Sequence, residues 1–494
     1  MPTHPVAGLE LQSENMLYGS PISSLLQVTG LPSWEGRGGL QTPPSNLVTD
    51  FIARGLISDA EAQQLFHIFV TRLDHFCYDI MCPHQTLKSL RKSSALLTAA
   101  ICTVSALHDP DSSAVFRICH AEFLRLVTSR MFSHDYSTDD IRALIVGSYW
   151  LGDITYTLVG HAIRIATSLN YHLAYYAAIQ GDRPAFETAR LWYVLYIMDH
   201  HLSILYGRPA IIAPNQEPYQ QWERFIQSEH GDEPDVRMSS QVALYHVTSK
   251  AKSTFGAYHG RIPEHSLYQL QGHFSDLDRW YMTWGNRMQR NAYVGNFPTD
   301  GAILHYHFAR LHLCSYIFRG MTTEAAAHVS DQVKEYAVLA LSSATAVLEL
   351  VLERTDLRNA LVGMPIYFHA MIVFAAVFLV KAASTNFLGL STVDDAKVFN
   401  LLEQCVREMR SQSAASQHLI YHLGSGLESM ISKASLAKTR LDLGVGAPQE
   451  HMPMAPAMDS LFMLDASDLF QYPLESGGQL SSENEYHWFT HLGS

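Results

Sequence analysis

Paired aspartates and close-set histidines are the residues of this 494-residue chain whose types and spacing could do chemistry. Adjacent aspartates chelate magnesium when further carboxylates complete the oxygen shell. Asp139-Asp140 is followed by Ile141, Arg142 and Ala143, and Asp394-Asp395 by Ala396, Lys397 and Val398, so neither pair has a third acid close by. Both pairs are predicted instead to sit in the first turn of a helix, where the dipole favours negative charge. His418 and His422 have the i, i+4 spacing of metal ligands, but no adjacent carboxylate completes the set, and packing or surface positions are predicted. His200-His201 and His305/His307 point in different directions on a helix and cannot converge on one ion. Phosphate-loop, nucleophile-elbow and H-E-x-x-H patterns do not occur. The six cysteines form no C-x-x-C pair, and a disulfide scaffold or zinc site is not expected. The sequence thus predicts no catalytic residue, no metal and no cofactor, and an all-α enzyme is the weakest alternative.

The elements that would position these residues are helical. Apolar residues recur at helical spacing over 93–108, 113–133, 138–150, 157–172, 186–206, 302–319, 330–353, 364–384, 393–412 and 414–435. Period-2 alternation is rare. Interruptions are predicted at 207–240 and 286–301, which are rich in turn-forming or polar residues. The most apolar stretch, Met364 to Val380, carries His369 and is shorter than the ~20 residues that span a bilayer, so a buried core helix is predicted, with no membrane role. The reading is all-α, with one large multi-helix domain over 48–440. Residues 1–47 hold six Pro, six Gly and one basic residue, Arg37, and are predicted to form a disordered arm.

The tail, 441–494, has a different composition. Eight of the 47 acids and none of the 34 basic residues fall there, so it carries −8 of the net −13 and leaves −5 for the rest. Its acids alternate with bulky side chains, among them Phe462, Phe470, Tyr472, Trp488 and Phe489. Such interleaving keeps aromatic residues solvated in a disordered segment and available to a partner's groove. The acidic balance argues against broad electrostatic grip on nucleic acid.

Residues 150–212 are the most informative. Gly160, Ile163, Ala166 and Thr167 form a small-residue face, predicted to let another helix approach closely. Leu191, Val194, Leu195, Met198 and Leu202 make an apolar stripe on the next helix. Arg164, Glu187, Arg190 and Asp199 are charges within these helices that must find partners where buried, so a packed helical hairpin with a polar clasp is predicted. Gly207 reads as the residue that ends the helix, Pro209 as its stop, and Arg208 as a donor to the terminal carbonyls.

The ordered set Gly160-x-Ala162-x-Arg164-x-Ala166, Glu187-x-x-Arg190-x-Trp192 with Asp199, and Gly207-Arg208-Pro209 resembles the regulatory domain, or middle homology region, of fungal zinc binuclear-cluster transcription factors. The likeness extends over roughly 48–435. Two departures stand out: Asn170-Tyr171-His172 where that family often has Gly-Leu-His, and Ala189 in place of one of two paired arginines. The family's six-cysteine cluster has no counterpart before residue 48, so its zinc and its direct DNA contact are not carried over. The resemblance implies a nuclear transcription regulator or coregulator controlling a metabolic or secondary-metabolite pathway. Its implied partners are other transcription factors or coactivators, with a homo- or heterodimer and a small-molecule effector as further expectations. The second reading is the ligand-sensing domain of a truncated zinc-cluster activator.

Overall fold

The computed structural model describes residues 50–133, 135–214, 217–256, 262–319, 328–384 and 394–442. The predicted arm and the tail residues Phe462, Phe470, Tyr472, Trp488 and Phe489 lie outside these. The described chain is helical, and an isolated bridge between Asn291 and Gly295 is its one β contact. In order, the helices are α1 (Asp59–Ile68), α2 (Leu87–Ser93), α3 (Ala95–Leu107), α4 (Ser113–Arg130), α5 (Thr138–Trp150) and α6 (Thr155–Ser168). Then come α7 (Ala174–Ala178), α8 (Arg183–Leu205), α9 (Trp222–Ile226), α10 (Glu233–Phe255), α11 (Leu267–Trp284) and α12 (Phe297–Ser315). The last are α13 (Asp331–Glu353), α14 (Thr355–Asn359), α15 (Ile366–Ser384), α16 (Asp395–Ser411) and α17 (Leu419–Asp442).

Local chemistry starts these helices where the sequence allows. Ser58 caps α1 and exchanges hydrogen bonds with Glu61. Asp140 does the same for Ser137 at α5, and Asp394 caps α16. Both aspartate pairs therefore do belong to helix starts. Asp139 also accepts from Arg142 (3.0 Å), His84 (2.9 Å) and Ser93 (2.6 Å), while Asp140 pairs with Arg130 at 2.9 Å.

α3 packs against both α4 and α5, α5 packs against α6, successive helices pack as neighbours from α10 to α13, and α6 and α10 both pack on α8. α15 runs through the middle, against α5, α8, α12, α13, α16 and α17. It is the predicted core helix. It is long and apolar enough to cross a membrane, but 83% of its apolar window is buried inside the protein. The chain closes on itself where the Ala415 N–H donates to Leu107 O at 3.2 Å, joining the segment before α17 to the end of α3.

A sharp turn before α15 exposes three carbonyls to the interior, and three buried rings satisfy them. His369 Nε2 meets Leu361 O (2.7 Å), His418 Nε2 meets Val362 O (3.1 Å) and Trp150 Nε1 donates to Gly363 O (3.0 Å). A carbonyl only accepts, so both imidazoles carry their proton on Nε2. His418 precedes α17 rather than sharing a helix face with His422, which is why the i, i+4 spacing places no ligand pair.

The sequence reading placed an interruption over 207–240, whereas α10 begins at Glu233 and α11 follows it. The run Asp232-Glu233-Pro234-Asp235 looks like a linker by composition. It is a helix start: Asp232 is the cap, Pro234 sits in the first turn and Asp235 returns a hydrogen bond to the Asp232 N–H.

Candidate functional site

The residues singled out between 160 and 209 gather along α6 and α8, but their pairing differs from the expectation. Arg190 is 8% exposed and faces α10. Its Nε and Nη2 donate to the two oxygens of Asp235 at 2.8 and 2.6 Å, and Nη2 lies 2.7 Å from Asp232. Glu187 is a looser partner at 3.5 Å. Arg164 is exposed and outside the clasp. Burial opposes the charge on Arg190, yet its hydrogen bonds to Asp235 outweigh this and raise its pKa. A polar clasp is thus present, but it joins α8 to the start of α10 rather than closing an α6–α8 hairpin, and it leaves Arg164 and Asp199 out.

Asp199 performs a second task. Its carboxylate accepts from the Ile212 N–H at 2.7 Å and ties the loop after α8 back onto that helix. Burial pushes this carboxyl up to about 6, against the opposing pull of the Ile212 and Ile211 backbone. Gly207 ends the helix as predicted, with φ +60. The donor to the terminal carbonyls is not the Arg208 side chain. Lys252 of α10 donates to Ser203 O (2.9 Å) and Arg208 O (2.6 Å), and Ser203 Oγ reaches Arg208 O at 2.7 Å. The Arg208 guanidinium lies over the Tyr156 ring at 5.5 Å. Burial pulls Lys252 down to about 8. Trp192 donates to Tyr219 Oη at 2.8 Å and Tyr193 to Pro218 O at 2.8 Å, pinning the next turn.

α6 contributes packing. Ala162 and Ala166 are buried, but a Cβ at Gly160 would meet only Ile211 Cδ1, at 4.0 Å. The close helix approach lies instead at Gly147 of α5, where a Cβ would meet Phe123 Cζ at 2.8 Å and Leu158 Cδ1 at 3.0 Å. Asn170 adopts φ +61, a left-handed conformation that asparagine tolerates better than most side chains. That accounts for asparagine where the resembled family often has glycine. Ala189 is buried.

Taken together, these groups lock a loop onto two helices.

A second constellation was not singled out by the sequence reading. A cavity of ≈ 30 Å³ lies between α5, α8, α10, α12 and the turn before α15, lined among others by Tyr78, Tyr149, His201, Arg237, Gln241 and His305. The backbone beside it is unusual. Phe69–Leu73 forms a π-helical turn, and Tyr78 and Asp79 are consecutive non-glycine residues at φ +65 and +60. Each left-handed residue of this kind costs roughly 1–3 kcal/mol, so the surroundings must hold it. Asp74 does so by accepting from the Met81 and Cys82 N–H groups at 3.0 and 3.2 Å. Arg237 stacks over Tyr78 at 4.8 Å and donates to His75 O. Arg237 and Gln241 come from α10, so the helix that completes the clasp also walls the cavity.

The chain belongs to the family described as the transcriptional activator of proteases prtT middle domain, which it matches over residues 55–434. The transcriptional activator of proteases prtT of Emericella nidulans is 36% identical over 427 residues, covering 84% of this chain and 64% of that protein. The chain therefore spans just under two thirds of that relative's length.

Proposed function

We propose that this chain regulates transcription in the fungal nucleus through protein partners, with genes for proteases among its targets. The observation that carries this reading is the family match over 55–434, together with the name of the Emericella nidulans relative. In this reading the helical body offers its surfaces to other transcription factors, and the acidic tail contacts coactivators. Phe462, Phe470, Tyr472, Trp488 and Phe489 supply the aromatic anchors, and the surrounding acids keep them in water until a partner's groove accepts them.

Tethering tests the reading. The full chain fused to an unrelated DNA-binding module should raise a reporter in a fungal host, and Ala at Phe462, Phe470 and Trp488 together should lower it several-fold without reducing protein level. A reporter that stays at the level of the DNA-binding module alone would overturn the tail's part in it.

A further inference from the structure

A groove of ≈ 370 Å³ lies between α11, α12 and α13, where α12 packs against both of the other two. It has room for about a dozen waters, at roughly 30 Å³ of liquid volume each, or for a small organic molecule. Its lining carries both signs of charge: Asp278 from α11, Arg310 from α12 and Glu335 from α13. Among the described residues no ion pair within 4 Å joins Arg310 to either acid. Asp278 Oδ1 accepts from Tyr306 Oη at 2.6 Å, and the Arg310 guanidinium lies over the same tyrosine ring at 5.2 Å. One ring therefore positions acid and base separately. Arg310 Nε is buried and has no hydrogen-bond partner, and Glu335 is exposed with no ion pair among the described residues.

Opposite charges that share a groove without pairing fit a ligand that carries both signs and stands between them. A plain anion would meet two carboxylates against one guanidinium, and a plain cation would leave the unpartnered arginine nitrogen unmet. The rest of the lining narrows the class. Phe274 is buried and stacks on Tyr336 with ring centroids 5.6 Å apart, and Leu339 stands three residues on from that tyrosine, so one part of the groove is an apolar seat. Gln271 and Gln332 add two carboxamides, each a donor and an acceptor in the geometry that complements a peptide group. A free amino acid has the two charges but no peptide group to meet them.

We propose that this groove binds a short peptide with free ends, of dipeptide size and with an apolar side chain. Arg310 takes the terminal carboxylate, Glu335 and Asp278 take the terminal ammonium, and the carboxamides of Gln271 and Gln332 take the peptide group. The apolar side chain packs on Phe274, Tyr336 and Leu339. Each of α11, α12 and α13 contributes one of the charged groups, so an occupant ties the three helices together. This goes beyond the transcriptional reading and does not depend on it.

The test uses the purified full chain in thermal melts and calorimetric titration. Leucyl-alanine is compared with its N-acetyl derivative (no ammonium), its C-terminal amide (no carboxylate), free leucine (no peptide group) and sodium chloride at matched ionic strength. The expected result is a saturable rise in melting temperature and a heat of binding with leucyl-alanine, with each of the three comparison compounds bound at least several-fold more weakly. Glu335→Gln changes one exposed side chain and should melt as wild type without ligand. It should weaken leucyl-alanine about ten-fold, the loss of one charge-assisted contact, and leave the N-acetyl derivative where it was. Arg310→Met should weaken leucyl-alanine about as much and leave the C-terminal amide where it was. Leucyl-alanine no better than chloride, leucine bound as tightly as leucyl-alanine, or an affinity unchanged in Glu335→Gln would overturn the proposal. None of these outcomes would touch the reporter result of the tethering experiment.

Discussion

Replacing Arg190 by Met isolates the energetic meaning of the clasp. Of its three acidic partners only Asp235 is sealed from water, at 1% exposure; the side chains of Asp232 and Glu187 are 52% and 35% exposed. Removing the guanidinium therefore strands one buried carboxylate that has lost two hydrogen bonds of 2.8 and 2.6 Å. Breaking a buried pair in this way costs ~3–5 kcal/mol. For a cooperative unit spanning 55–434, an unfolding entropy of about 2.1 cal/mol/K per residue gives ~0.8 kcal/mol per degree, so the melting temperature should fall by roughly 4–6 °C. The assay is a thermal melt of the purified chain by circular dichroism or calorimetry. The double variant Arg190→Met/Asp235→Leu removes the stranded charge and should recover most of the loss, because apolar replacement of a whole buried pair is often neutral or better. An Arg190→Met chain that melts within about 1 °C of wild type, or a double variant that melts as low as the single, would refute the reasoning.

The two glycines of the small-residue helices should respond in opposite senses. Gly147→Ala drives a Cβ into Phe123 and should cost ~1–3 kcal/mol, while Gly160→Ala meets nothing nearer than 4.0 Å and should gain ~0.5–1 kcal/mol from helix propensity; chemical denaturation of each variant checks both signs. The buried histidines predict a steep acid limb. Burial lowers His108 to about 3 and His305 and His369 to about 4, so the unfolded chain takes up protons below its ordinary histidine value of ~6.5 while the folded chain does not. Each such histidine should remove up to about 1.4 kcal/mol of stability per pH unit between ~6.5 and ~4, levelling off below; melts at stepped pH should lose one histidine's share of that slope in His369→Gln. A flat melting profile from pH 7 to 4.5 would contradict it.

Fold class was legible because apolar residues at helical spacing are repeated along most of the chain, and α15 declared itself by length and apolarity. The clasp was half legible. Glu187, Arg190 and Asp199 stood out as charges on amphipathic helices, but their partners could not be named without α10. That helix was hidden because its start, Asp232 to Asp235, has linker composition, and its polar and apolar residues show weak periodicity. The signal that could have found it is an acid at the cap, proline in the first turn and a second acid three residues on. Gly160 misled because a small residue predicts close approach only if another helix lies over it, which is a tertiary fact. The cavity was invisible for the same reason. Tyr149, Arg237 and His305 are far apart in sequence, each ordinary in its own helix, and they join the left-handed Tyr78 as a set only when α5, α10 and α12 are brought together.

The central proposal, that protease genes are among the targets of this transcription regulator, is tested most directly by transcript levels in a strain lacking the gene. On protein as sole nitrogen source, secreted-protease transcripts should fall at least several-fold in the deletion strain. The full chain should restore them, and a chain ending at residue 440 should not. Transcripts that are unchanged by the deletion would contradict the account.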